Sequence, residues 1–374
     1  MAGTSFDVLI LGGGIAGATL AAYLAPRLRV AVLEREPALG YHATGRSAAM
    51  FLPSYAGPAV RPLTAASRRF LASPPRGFGG SLLTPRAAIW TSAEAVSPDL
   101  CDRPGLRPLE SGEARRRVPI LRAEAARQAW LETDAADIDA ARLHMGLLRL
   151  AREAGGAVHA GLDELAVRRK GRLWRVRAAE AAFEAPILVD AAGAWADEAA
   201  QAAGAAPLGL RPLQRTVVLV DPPTAPDFLR WPTVKALDDS FYFRPFAGRL
   251  LATPCDEIPA QPHDAQPSLL DVARAVQRLA QAADHPVRHV RHRWAGLRTF
   301  APDRAPVFGW ANDAAGFFWL AGLGGFGIQT APAVGRLAAA LLLGDPLPSE
   351  LADFGIDPQA YAPSRFARAE RARP

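Results

Sequence analysis

The run Val8-Leu9-Ile10-Leu11 carries no polar interruption, which predicts a strand buried on both faces rather than one with a wet side. A glycine cluster, Gly12-Gly-Gly14-Ile15-Ala16-Gly17, ends the run, and an alanine-rich stretch of helical composition continues to Ala25. Arg29–Leu33, Ile187–Ala192 and Phe317–Ala321 are further short apolar runs of the buried-strand kind. Elsewhere the period changes to that of a helix. Leu143, Leu147, Leu150 and Ala154 share one helical face, with Asp139 as the N-cap and Gly155-Gly156 as the stop. Gln329–Leu343 is a second predicted helix, with Pro332 near its first turn. Ala88–Thr91, Thr216–Val220, Ser240–Phe246 and Arg249–Thr253 read as strands, the last two joined through Ala247-Gly248 as a hairpin. Apolar strands alternating with helices, followed by a strand-rich stretch, predict an α/β unit plus a second unit built on an antiparallel sheet.

The first of these units carries chemistry. Strand, glycine turn and helix in immediate succession form a dinucleotide-binding fingerprint, in which each glycine has a separate task. Gly12 permits the tight turn, Gly14 lets backbone approach a pyrophosphate, and Gly17 lets the helix pack against the strand. The helix start then offers free N–H groups and a positive dipole end to the phosphates. Glu34 ends the next apolar run about 20 residues after the first glycine, where a carboxylate holds ribose hydroxyls. An acid there favours FAD or NAD over NADP, and the motif does not choose between the first two.

Composition narrows the class without adding to the chemistry. At 374 residues the chain exceeds the ~250–300 at which one core stops growing, so two domains are expected. The formal charge of +6 comes almost wholly from scattered arginine, Lys170 and Lys235 being the only lysines, so no nucleic-acid partner is expected. Cys101 and Cys255 make neither a disulfide framework nor a zinc spacing, so no metal is assigned. No apolar stretch approaches ~18 residues, and the start lacks the marks of a signal peptide. The expected location is the cytoplasm, with peripheral contact at the inner membrane left open.

Four ordered motifs carry a resemblance. They are Gly40-Tyr-His-Ala-Thr-Gly-Arg-Ser-Ala-Ala49, Val189-Asp-Ala-Ala-Gly-Ala-Trp195, Trp294-Ala-Gly-Leu-Arg-Thr-Phe300 with Asp303 and Gly309 beyond, and Gly322-Leu-Gly-Gly-Phe-Gly-Ile-Gln-Thr330. Nearly end to end, the chain resembles the FAD-dependent D-amino acid oxidase superfamily, particularly its D-arginine dehydrogenase-like (D-amino acid dehydrogenase) members. The resemblance implies a glutathione-reductase-type Rossmann FAD-binding domain in separated segments, 1–75, 140–210 and 296–350. A substrate domain on a mostly antiparallel sheet takes 76–139 and 211–295, with a Pro/Gly-rich crossing at Ala72–Arg86 and a poorly ordered basic tail at 361–374. It implies noncovalent FAD, since neither cysteine lies near the C-terminal flavin motif. Besides Gly12, Gly14, Gly17 and Glu34, the implied cofactor residues are Ile15, Ala16, Arg35, Thr44, Gly45, Arg46, Ser47, Ala48, Ala49, Leu165, Gly193, Gly296, Gly324, Gly325, Phe326, Gly327 and Ile328. Thr44–Ser47, with its hydroxyls, glycine and arginine, reads as a loop-to-helix junction suited to a pyrophosphate. The start of the helix near Gln329 is a fixed donor for the negative charge that develops on a reduced flavin.

The implied reaction is oxidative deamination of a D-amino acid, with hydride passing from the α-carbon to flavin N5. Arg298 matches the family's carboxylate anchor, a role suited to the planar guanidinium fork. Tyr242 matches a tyrosine that adds a hydroxyl, Arg215 is a supporting charge, and Tyr55 and Gln329 line the amine side or close the site. No base is named, and His42 is left as a loop residue. Relatives that take arginine carry an acid where this chain has Thr84-Pro-Arg-Ala-Ala-Ile-Trp90, and a histidine where Met50 stands beside Phe51 and Leu52. A more apolar pocket involving Met50, Ala87 and Ala88 is therefore expected, with a neutral or hydrophobic substrate, proline-like amines included. Open alternatives are a glycine- or sarcosine-type amine oxidase, a 2-hydroxy acid dehydrogenase on the same fold, an RNA-associated flavoprotein, and a flavin-binding subunit that needs a partner. The electron acceptor stays open among a quinone, a dye-like acceptor and oxygen.

Overall fold

The computed structural model describes residues 4–96, 103, 105–179 and 181–366. Cys101 and the tail from 367 to 374 lie outside the described residues.

The apolar runs come together as one six-stranded sheet. In spatial order it contains Ala157–His159, Val30–Leu33, Val8–Leu11, Ile187–Asp190, Phe317–Ala321 and Val307–Trp310, and all neighbours are parallel except the last pair. Alternation explains why the strands had to be apolar throughout. Val8 and Ile10 point into a core shared with the helices Ile15–Leu24 and Gly327–Leu343. Leu9 and Leu11 point the other way, against Val167, Trp174, Val176 and Phe183 of a small four-stranded sheet. A parallel sheet covered on both faces leaves no position for a polar side chain to reach water. The helix Ala140–Glu153 starts at Asp139, whose carboxylate accepts from the Arg142 N–H at 2.9 Å.

The second unit is a nine-stranded sheet. Its order is Ile258–Pro259, Arg211–Val220, Arg249–Thr253, Tyr242–Phe246, Thr233–Ala236, Ala88–Ser92, Gln128–Glu132 and Leu106–Leu109, with Val290–Phe300 alongside Arg211–Val220. Most pairings are antiparallel, and Thr233–Ala236 with Ala88–Ser92 is the parallel exception. Ala247 and Gly248, both at positive φ, make the hairpin turn between its two central strands. The helix Leu269–Ala282 covers one face and begins with a capping box between Ser268 and Asp271.

Val290–Phe300 joins the two units. It runs through residue 296, where a domain boundary was expected, and its Thr299 carbonyl accepts from the Gly324 N–H at 2.8 Å. That bond ties the last glycine turn of the cofactor unit to the end of a substrate-sheet strand.

Two expectations need correction. The tail is anchored as far as residue 366: Tyr361 is buried and donates its hydroxyl to the Ala59 carbonyl at 2.8 Å, while Arg365 pairs with Asp303. Aromatic burial and an ion pair outweigh the basic composition that suggested disorder. Thr44–Ser47 does not open a helix; consecutive turns lead instead to a short strand, Met50–Phe51.

Candidate active site

A cavity of about 620 Å³ lies between the two sheets, well within the ~300–1,000 Å³ typical of ligand pockets. One end is walled by Glu34, Arg35, Leu165 and Trp195, the other by Tyr55, Arg215, Lys235, Tyr242 and Arg298. Of the expected cofactor residues, Gly17, Gly45 and Phe326 do not line it. Gly17 instead does the packing task assigned to it, since a Cβ there would lie 2.0 Å from the Gly12 carbonyl oxygen. Phe326 is buried beside Phe300.

The nucleotide end is shaped by backbone. Gly12 has φ +104°, and a Cβ on it would stand 2.5 Å from the Ala191 carbonyl oxygen, so any other residue meets both strain and collision. Glu34 braces the turn itself: one carboxylate oxygen accepts from the Gly13 N–H at 2.7 Å and the other from the Glu36 N–H at 2.8 Å. Thr44 reaches across 29 residues to accept from the Ile15 N–H at 2.9 Å, capping the helix from a distant loop. His144, missed in sequence, bonds the Gly13 carbonyl at 2.8 Å through Nε2; burial lowers its pKa, which keeps the ring neutral and fixes Nε2–H as the donor. Arg46 turns its guanidinium to the Ala265 and Ala295 carbonyls and to Asp264. It clamps the loop to the substrate unit while still lining the cavity. His42 pairs with Glu36 at 3.0 Å and packs on Trp195, with Arg35 over the same indole.

These features fit FAD. Two helix starts, at Ile15 and Gly327, open into one continuous cavity, and glycines without room for a side chain flank both. The Gly12–Gly14 turn and Glu34 would hold the adenosine and pyrophosphate half. Gly324–Gly327 would face the ring system, where FAD when bound supplies a two-electron acceptor.

Side chains shape the opposite end. Arg298, on Val290–Phe300, bonds Glu257 at 3.0 Å through Nη2, and its buried Nε has no partner among the described residues. Burial and the neighbouring Arg215 both lower its pKa from the usual arginine range, a mark of a site that favours an added anion. Arg215 donates to the Cys255 carbonyl at 2.8 Å and lies 3.8 Å from Asp239. Tyr55 donates to Asp239 at 2.9 Å. Tyr242 is buried, and burial pushes its phenol upward, so it is a neutral hydroxyl donor.

Lys235 was not recognised from sequence. It is almost wholly buried, bonded to Asp239, and surrounded by Tyr55, Trp90 and Tyr242, with the Tyr55 ring centroid 4.6 Å away. Burial alone pushes the Asp239 carboxyl up, but Lys235 and Arg215 pull it well below the ordinary carboxylate range. Lys235 therefore sits as an ammonium and is not a proton acceptor. One signal was available: Lys235 is one of only two lysines in a chain that spends the rest of its positive charge on arginine, and it sits between apolar neighbours, unlike Lys170 in its arginine-rich run.

Gln329 and the apolar wall also differ from expectation. Both ends of the Gln329 amide are engaged, accepting from the Leu52 N–H at 3.1 Å and donating to Thr64 at 3.0 Å. It lines the cavity while positioning the loop that carries Leu52 and Tyr55. Met50 and Leu52 face the cavity, but Phe51, Ala87 and Ala88 do not. Alternation turns Phe51 into the core beneath the helices, whereas Ala88 lies on the cavity-side face but is fully covered there by Leu52 and Trp90, with Met50 and Tyr55 beside them, and Ala87 packs into the opposite core. The wall near the substrate end is cationic and aromatic rather than simply apolar.

A two-unit fold with one cavity running from the Gly12–Gly14 turn to clustered arginines fits an FAD-type oxidoreductase. Residues 7–341 match the DAO family, described as FAD dependent oxidoreductase, and the chain belongs to that family. It is similar to the tRNA 5-methylaminomethyl-2-thiouridine biosynthesis bifunctional protein MnmC of Paracidovorax citrulli, 28% identical over 94% of this chain and 60% of that protein. It also resembles hydrogen cyanide synthase subunit HcnC of Pseudomonas aeruginosa, 26% identical over 57% of this chain and 50% of that one. The chain thus spans less than two thirds of these curated relatives. Among solved structures, glycine oxidase from Geobacillus kaustophilus superposes with a TM-score of 0.77 at 25% identity, covering 95% of this chain and 99% of that one. L-proline dehydrogenase from P. horikoshii shares the fold, with a TM-score of 0.82 at 19% identity over 98% of this chain and 99% of that one. Among the described residues no helix is long and apolar enough to cross a membrane.

Proposed function

We propose that this chain uses FAD to oxidise the carbon–nitrogen bond of a small amino acid, a D-amino acid with a neutral side chain being the favoured substrate. The observation that carries this reading is the convergence of Arg298, Arg215 and Tyr242 at the cavity end flanked by Gly324–Gly327, with the Arg298 Nε buried and unpartnered. A carboxylate there gains charge-assisted bonds from the guanidinium and the phenol, which fixes the α-carbon in position and rotation. With the amine unprotonated, its lone pair forms the C=N bond as the α-C–H bond gives up its hydrogen and both electrons to the two-electron acceptor that FAD would supply, and water converts the iminium to the 2-oxo acid and ammonium.

Side-chain preference follows from charge. Arg215, Lys235 and Arg298 line this end and no carboxylate does, so a cationic side chain finds no partner and is disfavoured, while Met50 and Leu52 supply apolar wall. The D configuration rests on the sequence resemblance to D-amino acid dehydrogenases. Similarity to glycine oxidase supports a second reading, a glycine- or sarcosine-type amine oxidase, for which the same carboxylate anchor serves.

Anaerobic bleaching of the FAD-loaded protein by D- and L-amino acids, glycine, sarcosine and 2-hydroxy acids tests the proposal. Bleaching by neutral D-amino acids is expected; bleaching only by glycine and sarcosine would move the assignment to the second reading, and bleaching by none would remove it. Admission of oxygen then separates an oxidase, which recovers its colour in seconds, from a dehydrogenase that needs another acceptor.

A further inference from the structure

Glu257 follows the strand Arg249–Thr253 and precedes the short strand Ile258–Pro259, and nothing in the chemistry above uses it. Its carboxylate bridges two arginines. One oxygen accepts from Arg298 Nη2 at 3.0 Å and Arg304 Nη2 at 2.7 Å, the other from Arg304 Nη1 at 3.0 Å. Arg304 is itself held in place, at φ +63° with its guanidinium 4.0 Å from the Phe300 ring centroid. The bridge is therefore fastened to the fold on the Arg304 side and touches the cavity on the Arg298 side.

Charge balance gives this bridge a consequence. Arg215, Lys235 and Arg298 line the substrate end, while Asp239 and Glu257 pair with them from behind. Three cations against two carboxylates leave a single positive charge, which one substrate carboxylate neutralises. Arg304 is half-exposed and screened by solvent, so it adds little to the field inside.

We propose that Glu257 is a specificity-determining residue: by bridging Arg298 to Arg304 it lowers the positive charge at the substrate end so that the site selects monocarboxylates over dicarboxylates. This rests on the reading of Arg298 as carboxylate anchor. Without Glu257 the field on a ligand rises, and because Coulomb energy scales with ligand charge, a dianion gains more than a monoanion.

The test uses FAD-loaded full-length protein, with acetate and malonate binding followed by perturbation of the flavin absorbance. Glu257→Gln is expected to tighten acetate and to tighten malonate further, raising the malonate-to-acetate affinity ratio about tenfold. Arg304→Gln is expected to move the ratio the opposite way and by less, since that side chain is screened. If Glu257 merely braced Arg298, both variants would weaken both ligands with the ratio unchanged, and that result would overturn the proposal. Arg298→Leu separates the two layers. Loss of both ligands in Arg298→Leu with an unchanged ratio in Glu257→Gln removes only the role of Glu257, whereas a wild-type flavin indifferent to either ligand removes the anchor and the role of Glu257 together.

Discussion

The two ends of the cavity solve their binding tasks with different materials. At the nucleotide end the floor is a glycine turn without room for a side chain and a helix start, drawn from a strand, a turn and a helix adjacent in the chain, with Glu34, Arg35, Leu165 and Trp195 as its walls. At the substrate end the lining is charged and aromatic side chains from four separate stretches of chain, Tyr55, Arg215, the paired Lys235 and Tyr242, and Arg298. A backbone site tolerates no added atom. A side-chain site tolerates reshaping but is sensitive to each charge, because every ion there depends on its partner.

The largest expected effect is at the backbone end. Gly12→Val places a branched side chain at φ +104° and 2.5 Å from the Ala191 carbonyl oxygen, so the purified variant is expected to carry no FAD. A yellow Gly12→Val protein with full flavin content would break the contrast. Lys235→Met probes the other end. It leaves Asp239 with Arg215 at 3.8 Å as its remaining cation, and since the Asp239 side chain is 34% exposed, the loss of stability is expected to be at most about 3 kcal/mol by urea unfolding. Flavin content should stay full while KM for the amino acid rises, and a loss of FAD in this variant would mean that the two ends are not separable.

The smallest effect concerns pH. Burial lowers the pKa of His144, so the unfolded chain binds more protons than the native one below the ordinary histidine value near 6.5. Stability and flavin retention should therefore decline as pH falls from about 6.5 toward 5. His144→Phe, which also gives up the bond to the Gly13 carbonyl, should flatten that slope while lowering flavin affinity at neutral pH. A slope unchanged in the variant would assign the acid sensitivity to other groups.

The same contrast explains what the sequence revealed. The glycine turn, Glu34 and the apolar strands were legible because their geometry is set by neighbours in the chain, and local spacing records it. Arg298, Tyr242 and Arg215 were reached through resemblance. Lys235 and Asp239 were not reached, because a buried ion pair leaves no periodic trace and its meaning comes from Tyr55, Trp90 and Tyr242 brought in from elsewhere. Ala87 and Ala88 were misplaced for a related reason: Ala88 is screened from the cavity by Leu52 and Trp90, larger side chains from elsewhere in the chain, and Ala87, just before the strand, packs into the opposite core. Glu34 shows a subtler gap. Its spacing was read as ribose recognition, and in the structure its carboxylate holds the Gly13 and Glu36 N–H groups and so shapes the turn.

The central claim is that Arg298 holds a substrate carboxylate, and kcat/KM of Arg298→Leu on the amino acid that best bleaches the wild-type flavin tests it most directly. Removing a desolvated bidentate partner should cost about 3 to 5 kcal/mol, roughly a thousandfold in kcat/KM. Folding and the FAD spectrum should stay near wild type, since Glu257 keeps its bonds to Arg304. Arg298→Lys should recover only part of the loss, because it restores the charge without the planar fork. An Arg298→Leu protein that retains FAD and oxidises its amino acid at near-normal efficiency would contradict the account.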